Sequence, residues 1–284
     1  MRTIRTVREM REITAAARRA GRSIGLVPTM GALHEGHLSL LRRAAAECDE
    51  VVLSIFVNPT QFNDPQDLAK YPRTEEADAA LAAGAGADVL FAPHVEEVYP
   101  PGFATEVRVG GPLTETLEGD HRGPGHFHGV ATVVTKLLNM VGPEVAYFGQ
   151  KDAQQALVVK HFVRDLNLPV RIEVCPTVRE PDGLAMSSRN VRLEKTDRQR
   201  AAALNAALEE ARRSAAEGER DAARIRGRAL SVLSEFAVDP EYLAVVDPRT
   251  LTVLDRLDGE ALVAVAAQVG PVRLIDNQLI APPA

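Results

Sequence analysis

Two histidines three residues apart, His34 and His37, stand in the string Pro28-Thr29-Met30-Gly31-Ala32-Leu33-His34-Glu35-Gly36-His37. Imidazole N–H groups at such spacing can lie on one face of a helix and both donate to phosphate oxygens. Residues 23–27 before them read as a short buried strand, and residues 38–48 after them as an apolar-periodic helix. Gly31 and Gly36 allow the main chain to approach a ligand closely. The helix start then presents unpaired N–H groups and the positive end of its dipole, a natural seat for polyphosphate. A zinc pair is the competing chemistry. Zinc helices of the H-E-x-x-H kind space their histidines by four and add a third ligand, so phosphate is preferred here.

Three further strings could carry chemistry. Asn58-Pro59-Thr60-Gln61-Phe62-Asn63 places amides after a strand-like run, suited to a hydroxyl beside a carboxylate, although an ordinary Asn-Pro turn would read the same. Gly149-Gln150-Lys151-Asp152-Ala153-Gln154-Gln155 sits at a strand-to-helix turn. There Lys151 can neutralise charge on β- and γ-phosphates, and Asp152 can hold Mg²⁺ or a ribose hydroxyl. A capped helix with a solvated lysine is the alternative. Met186-Ser187-Ser188-Arg189-Asn190 offers two hydroxyls and a guanidinium that can wrap a triphosphate, or else a serine turn capping the next helix. His121, Arg122, His126 and His128 crowd a glycine-rich loop at 119–129 but lack metal-ligand spacing. His126-Phe127, followed by Gly129-Val130, are assigned a structural role opening the following helix.

The elements that must position these residues alternate between strand and helix. Helical patterns are expected at 6–20, 75–83, 130–140 and 153–166, and strands at 50–57, 88–91, 105–109, 144–148 and 170–174. That alternation predicts an α/β fold, a Rossmann-like doubly wound parallel sheet, with ligands outside the carboxyl ends of its strands. The candidate residues fall there. After Pro176 the composition shifts to alanine- and arginine-rich helices over 196–236, broken at Gly218, and then to strands at 241–246, 261–268 and 272–279. Two domains are expected: residues 1–177, binding ATP and the acid substrate, and residues 178–284, a smaller C-terminal α+β domain closing over the nucleotide, with a hinge near 178–183.

Composition narrows the function. The 284 residues are 45% hydrophobic and 25% charged with a net charge of −6, which fits a globular protein and argues against a nucleic-acid surface. No apolar run reaches the ~20 residues of a membrane span, and no secretory leader is evident, so a cytoplasmic location is expected. The two cysteines, Cys48 and Cys175, read as small core residues.

The histidine string resembles the signature of the nucleotidyltransferase superfamily, and in its full length that of the pantothenate synthetase family of ligases. The Gln61, Gly149-to-Gln155 and Met186-to-Asn190 strings are similar to that family's motifs, in the same order along the chain. The resemblance implies ATP-dependent joining of pantoate to β-alanine through a pantoyl adenylate, releasing AMP and pyrophosphate, with Mg²⁺. It implies catalytic roles for His37, His34 and Lys151. ATP would be bound by Met30, Gly31, His34, His37, Gly149, Lys151, Asp152, Val178, Met186, Ser187, Ser188 and Arg189. Gln61 and Gln155 would contact pantoate and β-alanine, and Val178 would touch the adenine end through its backbone. A homodimer without nucleic-acid or membrane partners is also implied. The family places an arginine directly before Pro-Gly-His-Phe, whereas here Gly123 separates Arg122 from Pro124. Three rivals share some of these features: a transferase acting on a phosphorylated alcohol or mononucleotide, a tRNA synthetase, and a nucleotide-binding regulator without turnover.

Overall fold

The computed structural model describes residues 1–62 and 65–283, without the side chains of Asp67 and Pro124; Asn63 of the amide string lies outside the described residues. The chain divides into two compact units, Met1–Gly149 with Gln154–Pro176, and Gln150–Ala153 with Thr177–Ala284. The four residues Gln150–Ala153 thus group with the second unit although their chain neighbours belong to the first.

The first unit is built on six parallel strands: β1 (Arg2–Ile4), β2 (Ile24–Thr29), β3 (Glu50–Ile55), β4 (Val89–Phe91), β5 (Val145–Gly149) and β6 (Arg171–Cys175). Central strands such as β3 are almost wholly buried, as apolar runs in a parallel sheet covered on both faces must be. The spatial order is β1-β4-β3-β2-β5-β6. From β2 the chain steps outward through β3 to β4, then returns to the other side of β2 for β5 and β6. The order therefore reverses between β2 and β5, and the crevice at their carboxyl ends is the ligand position for such sheets. Thr29 and Gly149 end these two strands.

Some local expectations are corrected. Residues 105–109 form no strand; Val107 is half-buried and Val109 buried between exposed neighbours, and the Val107 amide donates to Thr132 Oγ1 at 2.9 Å on the helix Pro124–Val141. Strand β1 was too short, at 3 residues, to show any period. The glycine-rich stretch is largely helical, comprising Glu118–Arg122 and the start of Pro124–Val141. The helix after the histidines begins earlier than expected, at Glu35, leaving His34 outside it as the N-cap in an extended conformation.

In the second unit the antiparallel strands β7 (Pro240–Val246), β8 (Ala261–Val269) and β9 (Val272–Ile280) run in the order β7-β8-β9. Helices Lys195–Ala201, Ala203–Ala216 and Ala222–Glu235 complete the unit. Their alanines, Ala207, Ala211, Ala215 and Ala229 among them, are fully buried in one apolar cluster with Ile225, Val263 and Val265. Small side chains at these positions let elements approach closely, so the alanine bias is a packing device as well as helix propensity.

Candidate active site

The turn between β2 and helix Glu35–Glu47 is shaped by positive backbone angles at Gly31 (φ +87°) and Ala32 (φ +52°). A Cβ on Gly31 would sit 3.1 Å from Asp78 Oδ2 and 3.2 Å from Ile55 Cγ2, so glycine is needed both for its angle and for its space. Asp78, on the helix Glu75–Gly84 and only 2% exposed, accepts the Ala32 N–H at 2.9 Å and the Leu33 N–H at 2.8 Å, one on each carboxylate oxygen. Thr74 Oγ1 donates to it at 3.1 Å. A buried carboxylate therefore holds the turn that presents the histidines.

The His34 and His37 rings lie with centroids 4.1 Å apart, inclined by 39°. The His34 N–H donates to His37 Nδ1 at 3.3 Å. In neutral imidazole one nitrogen accepts and the other carries the proton, so this bond assigns the proton of His37 to Nε2. The tautomer is fixed by the same N-terminal turn that carries the helix's positive dipole end.

Gln61 belongs to a short 3-10 turn, Pro59–Gln61, after β3. Its Oε1 accepts from Asn58 Nδ2 at 3.1 Å, and its Nε2 lies 3.1 Å from Met30 Sδ. Asn58 is 1% exposed and is itself fixed: Nδ2 also donates to the Gly129 carbonyl at 3.2 Å, and Oδ1 accepts from the Tyr99 hydroxyl at 2.8 Å and Thr60 Oγ1 at 3.0 Å. Burial pushes the Tyr99 phenol up, keeping it a donor. His126 Nδ1 pairs with the Gln61 carbonyl at 2.8 Å, so the helix-opening histidine also holds the amide turn. A Cβ at Gly129 would come 2.6 Å from the Thr60 carbonyl oxygen, which makes that glycine a contact requirement.

Of the paired glutamines, Gln154 is consumed by the fold. Its Oε1 accepts the Glu118 N–H at 3.0 Å, and its Nε2 donates to the Leu113 and Thr116 carbonyls at 3.0 and 2.8 Å. Gln155 is half-buried beside it. Arg122 pairs with Glu118 at 2.8 Å. Among the described residues no group of three or more His, Cys, Asp or Glu side chains could hold a metal.

The second unit holds the remaining candidates. Gln150–Asp152 forms a 3-10 turn, with Lys151 Nζ 3.4 Å from Asp152 Oδ1. Residues 178–186 make a small antiparallel loop in which Arg179 bridges Ala185, the Met186 N–H donates to the Val178 carbonyl at 3.0 Å, and Gly183 (φ +88°) turns the chain. Asn190, 5% exposed, donates through Nδ2 to Glu180 Oε1 at 2.7 Å and to the Ala185 carbonyl at 3.0 Å. Ser187 Oγ accepts the Arg189 N–H at 3.3 Å. Val178, Met186, Ser187, Ser188 and Arg189 are all partly exposed.

Sequence reasoning passed over the residues that hold these groups: Asp78, Arg179, Asp276 and Asn277. A signal existed for the last two, because adjacent Asp and Asn in the middle of a strand-like apolar run break its alternation.

A parallel sheet with a histidine pair and a helix N-terminus at its switch point fits one class, the α/β nucleotide-dependent enzymes. The family model described as pantoate-beta-alanine ligase matches residues 2–279, and the chain belongs to that family. It is 54% identical to the pantothenate synthetase of Moorella thermoacetica, over 99% of each chain. Among solved structures it is similar to pantothenate synthetase from Thermus thermophilus, with TM-score 0.93, 49% identity and coverage of 99% of this chain and 100% of that one. It is also similar to the Francisella tularensis pantoate-beta-alanine ligase complexed with beta-gamma ATP and beta-alanine, with TM-score 0.79, 36% identity and coverage of 98% and 97%.

Proposed function

We propose that this chain condenses pantoate with β-alanine to pantothenate, using ATP and releasing AMP and pyrophosphate. A pantoate carboxylate oxygen attacks the α-phosphorus in line, the bond from that phosphorus to the bridging oxygen breaks, and pyrophosphate leaves. The β-alanine amine then attacks the acyl carbon of pantoyl adenylate, loses a proton and displaces AMP. Neither step needs a covalent enzyme nucleophile, so the protein contributes position and charge stabilisation.

The observation that carries the residue-level reading is the His34–His37 arrangement, in which Nδ1 of His37 is engaged and Nε2 bears the proton. Through Nε2, His37 donates a hydrogen bond to the departing pyrophosphate, and His34 supports it at the helix start. Lys151 and Arg189 neutralise charge on the leaving group, and Ser187 and Ser188 donate hydrogen bonds to it. Met30, Gly31 and Gly149 supply main-chain approach to ATP, and Val178 meets the adenine end. Gln61, its amide aimed by Asn58, and Gln155 receive pantoate and the incoming β-alanine.

The donor set suits a Mg²⁺ carried by the nucleotide, since that ion is usually held by one or two carboxylates together with substrate phosphates. Asp152, half-exposed, is the carboxylate that would hold it, and the ion would neutralise charge on the phosphates. The proposed assembly is a homodimer and the proposed location cytoplasmic. Among the described residues no helix is long and apolar enough to cross a membrane. Sedimentation tests the assembly, with twice the chain mass expected.

The deciding assay measures AMP and pyrophosphate from ATP and Mg²⁺ with pantoate, with and without β-alanine. AMP release that needs both acids is expected. Silence with pantoate returns the chain to other acids and rejects Gln61 and Gln155 as its contacts.

A further inference from the structure

The lysine turn is held from the far end of the chain. Asn277, in the edge strand β9 and 5% exposed, spends its whole side chain on residues 150 and 151. Its Nδ2 donates to the Gln150 carbonyl and to the Lys151 carbonyl, each at 2.9 Å, and its Oδ1 accepts from Gln150 Nε2 at 2.9 Å. Both amide hydrogens are used, so the amide has one orientation. The neighbouring Asp276, 3% exposed, forms a two-point pair with Arg179 at 2.5 and 3.1 Å and accepts the Asn277 N–H at 2.8 Å. Arg179 also donates to the Gly183 carbonyl at 3.2 Å, within the loop that leads to Met186 and the serines. Consecutive strand residues point to opposite faces. The dipeptide therefore holds the lysine turn with one side chain and the 178–186 loop with the other.

We propose that Asn277 is a positioning residue for the adenylation step: by fixing the main chain at Gln150 and Lys151 it sets where the Lys151 ammonium stands as pyrophosphate leaves. This rests on the reading of Lys151 given above. A side chain that bonds two successive carbonyls restrains the two peptide planes on either side of the Lys151 Cα, and with them the direction of its Cα–Cβ bond. Small misplacements of a charge-stabilising group are expensive in rate because its benefit depends on pre-set geometry.

The test is a double-mutant cycle on pyrophosphate release, using Asn277→Ala, Lys151→Ala and the pair. Lys151→Ala is expected to slow release by ~10²-fold, on the scale of a lost transition-state donor, and Asn277→Ala by about 10-fold. The double variant should match Lys151→Ala alone, because an anchor has nothing to contribute once the lysine is gone. The pantoate KM should stay unchanged throughout. Asn277→Asp keeps the shape and the Oδ1 acceptor but loses both N–H donors; it should be as slow as Asn277→Ala, and it carries the same reading if the alanine variant does not fold. Additive losses in the double variant, a pantoate KM that rises with the fall in rate, or a wild-type rate in either Asn277 variant beside a slow Lys151→Ala would each overturn the positioning role. A wild-type rate in Lys151→Ala would instead remove the reading on which it rests.

Discussion

The histidine turn of the first unit and the lysine turn of the second are held in place by side chains of opposite polarity. Around His34 the main chain offers spare N–H groups, as any approach to a helix N-terminus does, and the holding residue is an acceptor, Asp78. Around Lys151 it offers spare carbonyls, and the holding residue is a donor, Asn277. The choice has an electrostatic side. A carboxylate beneath the histidine turn places a negative charge near the proposed phosphate seat and offsets part of the helix dipole. A neutral amide beneath the lysine turn leaves the ammonium charge to its neighbour Asp152 and to the substrate. The backbone polarity each turn exposes thus selects its anchor, and the anchor in turn sets how much positive charge the turn presents.

The largest effect should come from the histidine turn's own chemistry. His37→Ala is expected to lower the rate of adenylate formation by ~10²-fold or more with pantoate binding retained, read as pyrophosphate release against pantoate KM. An unchanged rate removes the assignment of Nε2 as donor. Asp78→Asn comes next and probes the anchor's polarity: Ala32 and Leu33 each donate to a separate carboxylate oxygen, and the amide puts an NH2 group against one of those N–H donors, so about 10-fold in rate and 1–3 kcal/mol in stability should be lost. Kinetics and denaturant unfolding together check this. Full activity in Asp78→Asn would show that the turn keeps its shape without a two-sided acceptor, and the contrast with Asn277 would collapse.

Gly129→Ala tests the third anchor, the contact beneath Gln61. Its methyl would press on the Thr60 carbonyl, so a stability loss of about 1–3 kcal/mol and a raised pantoate KM with ATP KM unchanged are expected. A wild-type pantoate KM would detach Gln61's position from this helix contact. The smallest effect lies in the second unit. Its loop is braced by Arg198, which donates to Asp182 at 2.7 Å and also pairs with Glu180. Arg198 holds the Asp182 carboxyl below its ordinary range. A carboxyl depressed in the folded state stabilises above its unfolded pKa, and that contribution is lost as pH falls through the folded one. Asp182→Asn should therefore be less stable than wild type by under about 1 kcal/mol near neutrality, since the pair is solvent-screened. Thermal melts should converge once the pH falls below the depressed folded-state value and the carboxyl is protonated in both states; a gap that persists in acid assigns the loss to packing.

Much of the first unit could be read from the chain because its signals are local. The strand before His34, the turn glycines and the helix after it are contiguous, and alternating strands and helices define a parallel sheet without any tertiary information. The failures have physical causes. Residues 105–109 carry a strand-like spacing of Val107 and Val109, yet the Val107 amide bonds a helix side chain and not a neighbouring strand. Glycines at 119–129 were read as loop, yet Gly129 is there so that a helix can reach Thr60. Asp78 is an unremarkable acid in a helical pattern until the fold brings it 46 positions back to Ala32. Asn277 meets Gln150 across 127 positions. The candidate binding groups were visible as motifs, whereas the side chains that hold them were visible only as small violations of pattern.

The grouping of Gln150–Ala153 with the second unit bears on how this protein could be cut and recombined. No single break in the chain separates the two units, since Gly149 and Gln154, both in the first unit, flank a segment that belongs to the second. A fragment spanning 177–284 would carry Asn277 without the three groups it bonds on Gln150 and Lys151, a loss of about 0.5–1.5 kcal/mol for each hydrogen bond. Such a fragment should melt early and regain stability when residues 150–153 are supplied by a linker. As an exchangeable cassette, the C-terminal unit is therefore discontinuous: it includes a four-residue segment from the middle of the chain, and any graft onto another sheet must carry that segment with it.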